Sequence, residues 1–196
     1  MCVDALAQTA PDWNRLFDTA AGQSGYFTTK QAADAGYSTQ LLRKHIQAGR
    51  VSHVRRGIYR LVHFLHGEHE ELITAWLWSD RAGVLSHQTA LSLHGLGDVL
   101  PSRVHLTLPA DWRDRRLRVP AGVLLHHADV PSAERSWFGP VPATGVRRTL
   151  SDCARGGLSP DELRRAAEQA LRRGSVTRND LADVDAALAP FGGLDG

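Results

Sequence analysis

The chain has 196 residues, with 23 Lys and Arg against 21 Asp and Glu, 42% hydrophobic and 22% charged residues, which is the profile of a globular protein of one large or two small domains. No apolar run reaches the ~20 residues of a membrane helix, and Asp4, Asp12 and Asp18 without a basic lead argue against a secretory signal. Cys2 and Cys153 alone make no disulfide framework and no metal knuckle, so a cytoplasmic α+β protein is expected.

In chain order, residues 1–11 read as a loose lead-in. Asp12 can cap a helix to about Ala21 that places Trp13, Leu16, Phe17 and Ala20 on one face. Gly22 to Gly25 breaks it, and Tyr26-Phe27 is a short extended piece. Thr28 precedes a second helix, Thr29 to about Ala35, and Gly36 suits the left-handed residue that ends one. Ser38 can cap a third helix, Thr39 to Ala48, stopped by Gly49. A helix, a short glycine-bearing turn and a helix form the helix-turn-helix pattern. Val51–Val54 and Ile58–Leu61 then read as strands joined at Arg55-Arg56-Gly57, a hairpin of the size called a wing.

Composition shifts near His63 to Gly67, which divides the chain into 1–65 and 66–196. In the second part, Glu68 to Asp80 reads as an amphipathic helix, and Ser86 can cap another through Leu93. Arg103–Leu108 alternates as a strand, Arg115–Val119 and Val123–His127 read as a hairpin, and Pro140-Val141-Pro142 is extended. Thr144 can cap a helix to about Arg155. Ser159-Pro160-Asp161-Glu162 starts a helix to Arg173, Thr177 to Leu188 is the last one, and Gly192–Gly196 is expected to fray. The expected C-terminal fold is mixed, with a small antiparallel sheet and terminal helices.

Charge is concentrated in the first part. The 33 residues from Ala35 to Gly67 hold Arg43, Lys44, Arg50, Arg55, Arg56 and Arg60 and no acid, while the other residues, with 17 basic and 21 acidic side chains, net −4. On the third helix, Leu42 and Ile46 share an inward face, which turns Thr39, Gln40, Arg43, Lys44 and Gln47 outward. Arg43 can bridge a guanine edge, and Gln40 or Gln47 an adenine edge, each bidentate pair being worth ~1–3 kcal/mol of discrimination. Thr28, Thr29 and Lys30 open the preceding helix, where backbone N–H groups can receive a phosphate. Arg55, Arg56 and Arg60 on the hairpin are candidates for phosphate or minor-groove contact, with His53 a weaker one. Double-stranded DNA is the partner this pattern fits.

The string also resembles a known family. Gly25-Tyr26-Phe27-Thr28, Ala32 to Gly36, Leu41-Leu42-Arg43, Gly49 and Val54 to Arg60 are similar to the N-terminal domain of AbiEi antitoxins, regulators of abortive-infection, type IV toxin–antitoxin modules that serve in phage defence. Ser86 to Leu91 with His94-Gly95-Leu96, and Val141-Pro142-Ala143 followed by Arg148 to Asp152, match as well. The resemblance implies a winged helix that binds inverted repeats and represses its own operon, with two copies on the operator. It also implies a C-terminal domain that opposes a nucleotidyltransferase-like toxin, with or without direct contact. No catalysis and no cofactor are expected on that reading. The alternatives are a ligand-sensing winged-helix regulator and a nuclease-related enzyme.

Other clusters have plainer explanations. His63, His66 and His69 fan around a helix too widely to converge on a metal, and a polar linker accounts for them. His126 and His127 alternate sides of a strand and form no pair. Ser86 and Thr89 beside His87 or His94 superficially resemble a catalytic set, but a capping serine explains the segment. Arg148 and Asp152 sit one helical turn apart as an ion pair, with contact to a toxin or second subunit as the functional alternative. Arg113, Arg115, Arg116 and Arg118 form a second basic patch, either solvated or touching flanking phosphate.

Overall fold

The computed structural model describes residues 10–65 and 67–194. Most of the expected lead-in, with Cys2, and also His66 and the final two residues lie outside that description. The chain divides into two compact units between Trp78 and Ser79.

The first unit begins with α1 (Trp13–Ala21), capped by Asp12, whose carboxylate accepts from the Arg15 amide at 3.0 Å. Strand β1 (Tyr26–Thr28) leads into α2 (Thr29–Asp34), and α3 (Thr39–Gln47) follows behind the Ser38 cap. Gly36 has φ +82°, the left-handed turn residue that the spacing predicts. Strands β2 (Val51–Arg55) and β3 (Ile58–Leu61) form an antiparallel hairpin, and β1 joins the other side of β3 to complete a three-stranded sheet. Leu16, Phe27, Ala32, Tyr37, Leu42 and Leu61 fill the core between helices and sheet. Trp13 stacks on His45 at 5.2 Å and meets Tyr37 edge-on at 6.2 Å, so α1 braces α3.

Helix α4 (Glu70–Trp78) completes this unit, rather than opening the second as the composition shift suggests. The physical reason is a polar tie as well as apolar packing. The Glu70 carboxylate accepts a hydrogen bond from the Tyr26 phenol, and burial together with that carboxylate pushes the phenol up to about 12.

The second unit contains a five-stranded sheet in the order β6-β5-β4-β8-β7. Its strands are β4 (Val84–Leu85), β5 (Val104–Leu108), β6 (Val123–His127), β7 (Arg135–Phe138) and β8 (Val141–Thr144). β4–β5 and β7–β8 pair antiparallel, whereas β5–β6 and β4–β8 pair parallel. The expected hairpin around Pro120-Ala121-Gly122 does not form. Residues 115–119 are not a strand, and the stretch after β5 crosses over so that β6 runs alongside β5 in the same direction.

Helices α5 (His87–Leu93), α6 (Val146–Arg155), α7 (Pro160–Arg172) and α8 (Ala182–Leu188) pack around a core that includes Leu91, Leu150, Leu163, Ala166, Leu181 and Val184. Ser159 caps α7 as expected. Gly145, one residue past the expected Thr144, occupies the cap position of α6, because the Thr144 hydroxyl is engaged by Thr149 at 2.7 Å. The expected frayed tail is ordered as far as Leu194, which is 4% exposed and donates its amide to Asp185. Among the described residues, no helix is long and apolar enough to cross a membrane.

Candidate nucleic-acid interface

Helix α3 is set by its cap and its single buried leucine. The Ser38 hydroxyl accepts from the Leu41 amide at 3.2 Å, and Leu42 is 1% exposed. That anchoring leaves Thr39, Gln40, Arg43, Lys44 and Gln47 exposed, all five as the sequence pattern expects. Gln40, Arg43, Lys44 and Gln47 are spaced by three and four residues and so form one stripe. Burial and the neighbouring Arg50 charge hold the His45 imidazole below its ordinary pKa, so it adds no charge to this helix at neutral pH.

The hairpin turn is pinned to the start of α2. The Thr29 amide donates to the Gly57 carbonyl at 2.9 Å, and Gly57 adopts φ +77°. This tie holds Arg55 and Arg56 at the tip, Arg56 exposed and Arg55 half-buried. Among the described residues, Arg43, Lys44, Arg50, Arg55 and Arg56 make no ion pair with an acid. Five cations left uncompensated on one small unit create a positive potential that an acidic polymer would neutralise.

Two expectations change. Arg60 is not a surface contact: it is 7% exposed, donates to the Phe64 carbonyl at 2.6 Å and lies over the Tyr26 ring at 5.8 Å. On a strand, Ile58 and Arg60 share one face, and here that face is the buried one. The start of α2 is also occupied. The Thr28 amide donates to Gln31, the Thr29 amide to Gly57, and the Gln31 amide to the Thr28 hydroxyl. Thr28 and Thr29 are therefore structural, and the exposed Lys30 side chain is what this segment can offer a phosphate.

In the second unit, Arg148 and Asp152 form part of a network. Asp152, largely buried, accepts from Arg148 at 2.9 Å and from Arg155 at 2.7 Å, while Arg148 also reaches Glu134 at 2.6 Å. Ser86 does not cap α5 with its side chain. It is wholly buried, accepts from the Thr107 hydroxyl at 2.7 Å and lies 2.9 Å from the His87 ring. Thr89 bridges the Arg103 carbonyl and the His105 amide. In the second basic patch, Arg113 donates to the His127 carbonyl, and Arg115 pairs with Asp111 at 3.3 Å and covers the Trp112 ring at 4.2 Å.

One cluster escaped the sequence reading. His87, His105 and His126 converge, with His105 Nδ1 3.1 Å from His126 Nε2 and the His87 ring stacked 3.6 Å from that of His126. Burial lowers the pKa of all three, to about 4 for His87 and for His105. They lie on three separate elements, so no local spacing announces them.

No curated protein matches the chain. The crystal structure of the RV2827C protein from Mycobacterium tuberculosis is similar over 90% of this chain and 70% of that one, at 15% identity and a TM-score of 0.53, a likeness of fold. Residues 14–62, which carry α3 and the hairpin, match the family described as "Transcriptional regulator, AbiEi antitoxin". That segment is thus similar to the AbiEi antitoxin family of transcriptional regulators, the family the sequence resembles.

Proposed function

We propose that the first unit works as a winged helix-turn-helix that binds operator DNA, and that the chain is the antitoxin of an AbiE-like type IV module. In this reading α3 enters the major groove and presents Arg43, Gln40 and Gln47 to base edges. Lys30, Lys44, Arg50, Arg55 and Arg56 hold the phosphate backbone on either side. The protein represses its own operon by occupying inverted repeats with two copies, and no bond is made or broken. The second unit opposes a nucleotidyltransferase-like toxin.

The observation that carries the reading is the exposed, acid-free cationic stripe of α3 and the hairpin tip inside the family-matched segment. A reporter driven by the chain's own upstream region tests it. Co-expression of the wild-type chain is expected to lower reporter output, and Arg43→Ala to relieve that repression. Equal output with and without the protein would overturn it. For the toxin arm, the expected outcome is rescue of growth when the chain is co-expressed with the product of an adjacent nucleotidyltransferase-like gene.

A further inference from the structure

We propose that His87, His105 and His126 form a binding site for a divalent transition-metal ion, Zn²⁺ being the best fit. The site lies in the second unit, outside the segment matched by the antitoxin family, and it is independent of the DNA-binding reading.

Three imidazoles without a thiolate suit zinc, with a fourth position left to water. One ligand nitrogen from each ring lies within 4.8 Å of the other two. His105 Nδ1 and His126 Nε2 are already 3.1 Å apart. Two nitrogens on one tetrahedral zinc, each at ~2.0–2.1 Å, stand about 3.3 Å from one another. The proton these two rings share therefore occupies the place an ion would take. His87 must turn out of its stack on His126 to bring its lone pair to the same point.

The surroundings hold the ligands as a metal site requires. His105 and His126 project from neighbouring parallel strands in a diagonal register, in which Thr107 opposes His126. His87 opens α5 at φ +50°, an unusual backbone for a residue with a side chain, and one that persists only where the surroundings impose it. Thr107 donates to the Ser86 hydroxyl, which leaves a Ser86 lone pair to accept from His87 Nδ1–H. That bond directs the His87 Nε2 lone pair outward as the ligand atom, in the way outer hydrogen bonds orient metal-binding imidazoles. Asp152 lies close enough to favour positive charge at His87 and His126, while Arg155 and Arg103 act against it at His87 and His105. All three rings are half-buried, so an ion can reach them.

The test uses the full chain, stripped with a chelator and dialysed. Titration with Zn²⁺ in a calorimeter is expected to show one ion per chain. His105→Ala and His126→Ala should each weaken binding at least tenfold, and Ser86→Ala about tenfold through loss of His87 orientation. His127→Ala, on the opposite side of the strand, should bind as wild type does. If the variants do not fold, nitrogen NMR of the wild-type rings decides: Zn²⁺ should shift His87, His105 and His126 and leave His53 and His63 in place. Absence of one-to-one binding, wild-type affinity in the histidine variants, or shifts confined to other histidines would overturn the proposal.

Discussion

Arg60→Ala separates a structural arginine from a DNA-contacting one. The side chain lost is 7% exposed, and its guanidinium donates to the Phe64 carbonyl at 2.6 Å. A hydrogen bond from a charged group is worth ~1.5–3 kcal/mol. The placement over Tyr26 at 5.8 Å adds ~0.5–1 kcal/mol, and the buried stem about 0.8 kcal/mol per methylene. With partial relaxation the loss is about 4 kcal/mol, a large part of what holds a small unit folded. The melting transition of the first unit should fall by at least about 15 °C, read by circular dichroism on heating. Arg56→Ala, at an exposed turn, should change stability by less than about 0.5 kcal/mol while weakening DNA binding. The reasoning is refuted if Arg60→Ala melts with wild type and loses DNA affinity as Arg56→Ala does.

Gly25→Ala should cost about 2 kcal/mol, because Gly25 has φ +88° and a Cβ there would stand 2.7 Å from Phe64 Cβ and Cγ; an unchanged urea midpoint would contradict this. Asp152→Ala should destabilise the second unit by about 2 kcal/mol, since it takes one of two carboxylate partners from the half-buried Arg148 and leaves it Glu134, whereas Arg155→Ala, on the exposed partner, should cost under about 1 kcal/mol. Burial, and then the Asp152 charge, pushes the Cys153 thiol up to about 12. In a Cys2→Ser background a thiol reagent at pH 8 should therefore modify Cys153 only when the chain unfolds, and reaction at the rate of a free cysteine would refute the burial. The same shift sets a sign. The native state keeps this proton to higher pH than the unfolded chain, so its stabilisation is complete below the ordinary thiol pKa and is lost as pH rises from there towards about 12.

What the sequence shows about this protein is mostly local chemistry. The caps Asp12, Thr28, Ser38 and Ser159 satisfy amides three residues or fewer away, so their helices are legible without knowledge of the fold. The outward stripe of α3 follows from the spacing of Leu42 and Ile46 alone. Arg60 was also legible in principle: strand alternation pairs it with the inward Ile58, but its charge suggested the opposite face. Strand β4 has two residues, too short for any period, and β5–β6 is a parallel pair joined by a crossover rather than a turn. Both arise from contacts distant in sequence. The three-histidine cluster depends on those same contacts, so strand alternation alone relates His126 only to its neighbour His127.

The central claim is that the cationic stripe docks on duplex DNA with base preference. Fluorescence anisotropy of the full chain on its own upstream fragment, against a scrambled duplex over a range of salt, tests it most directly. If Lys30, Lys44, Arg50, Arg55 and Arg56 all meet phosphates, log affinity should fall against log salt with a slope of about −4.5, and the upstream fragment should bind more tightly at every salt. Equal affinity for both duplexes, or binding indifferent to salt, would contradict the account.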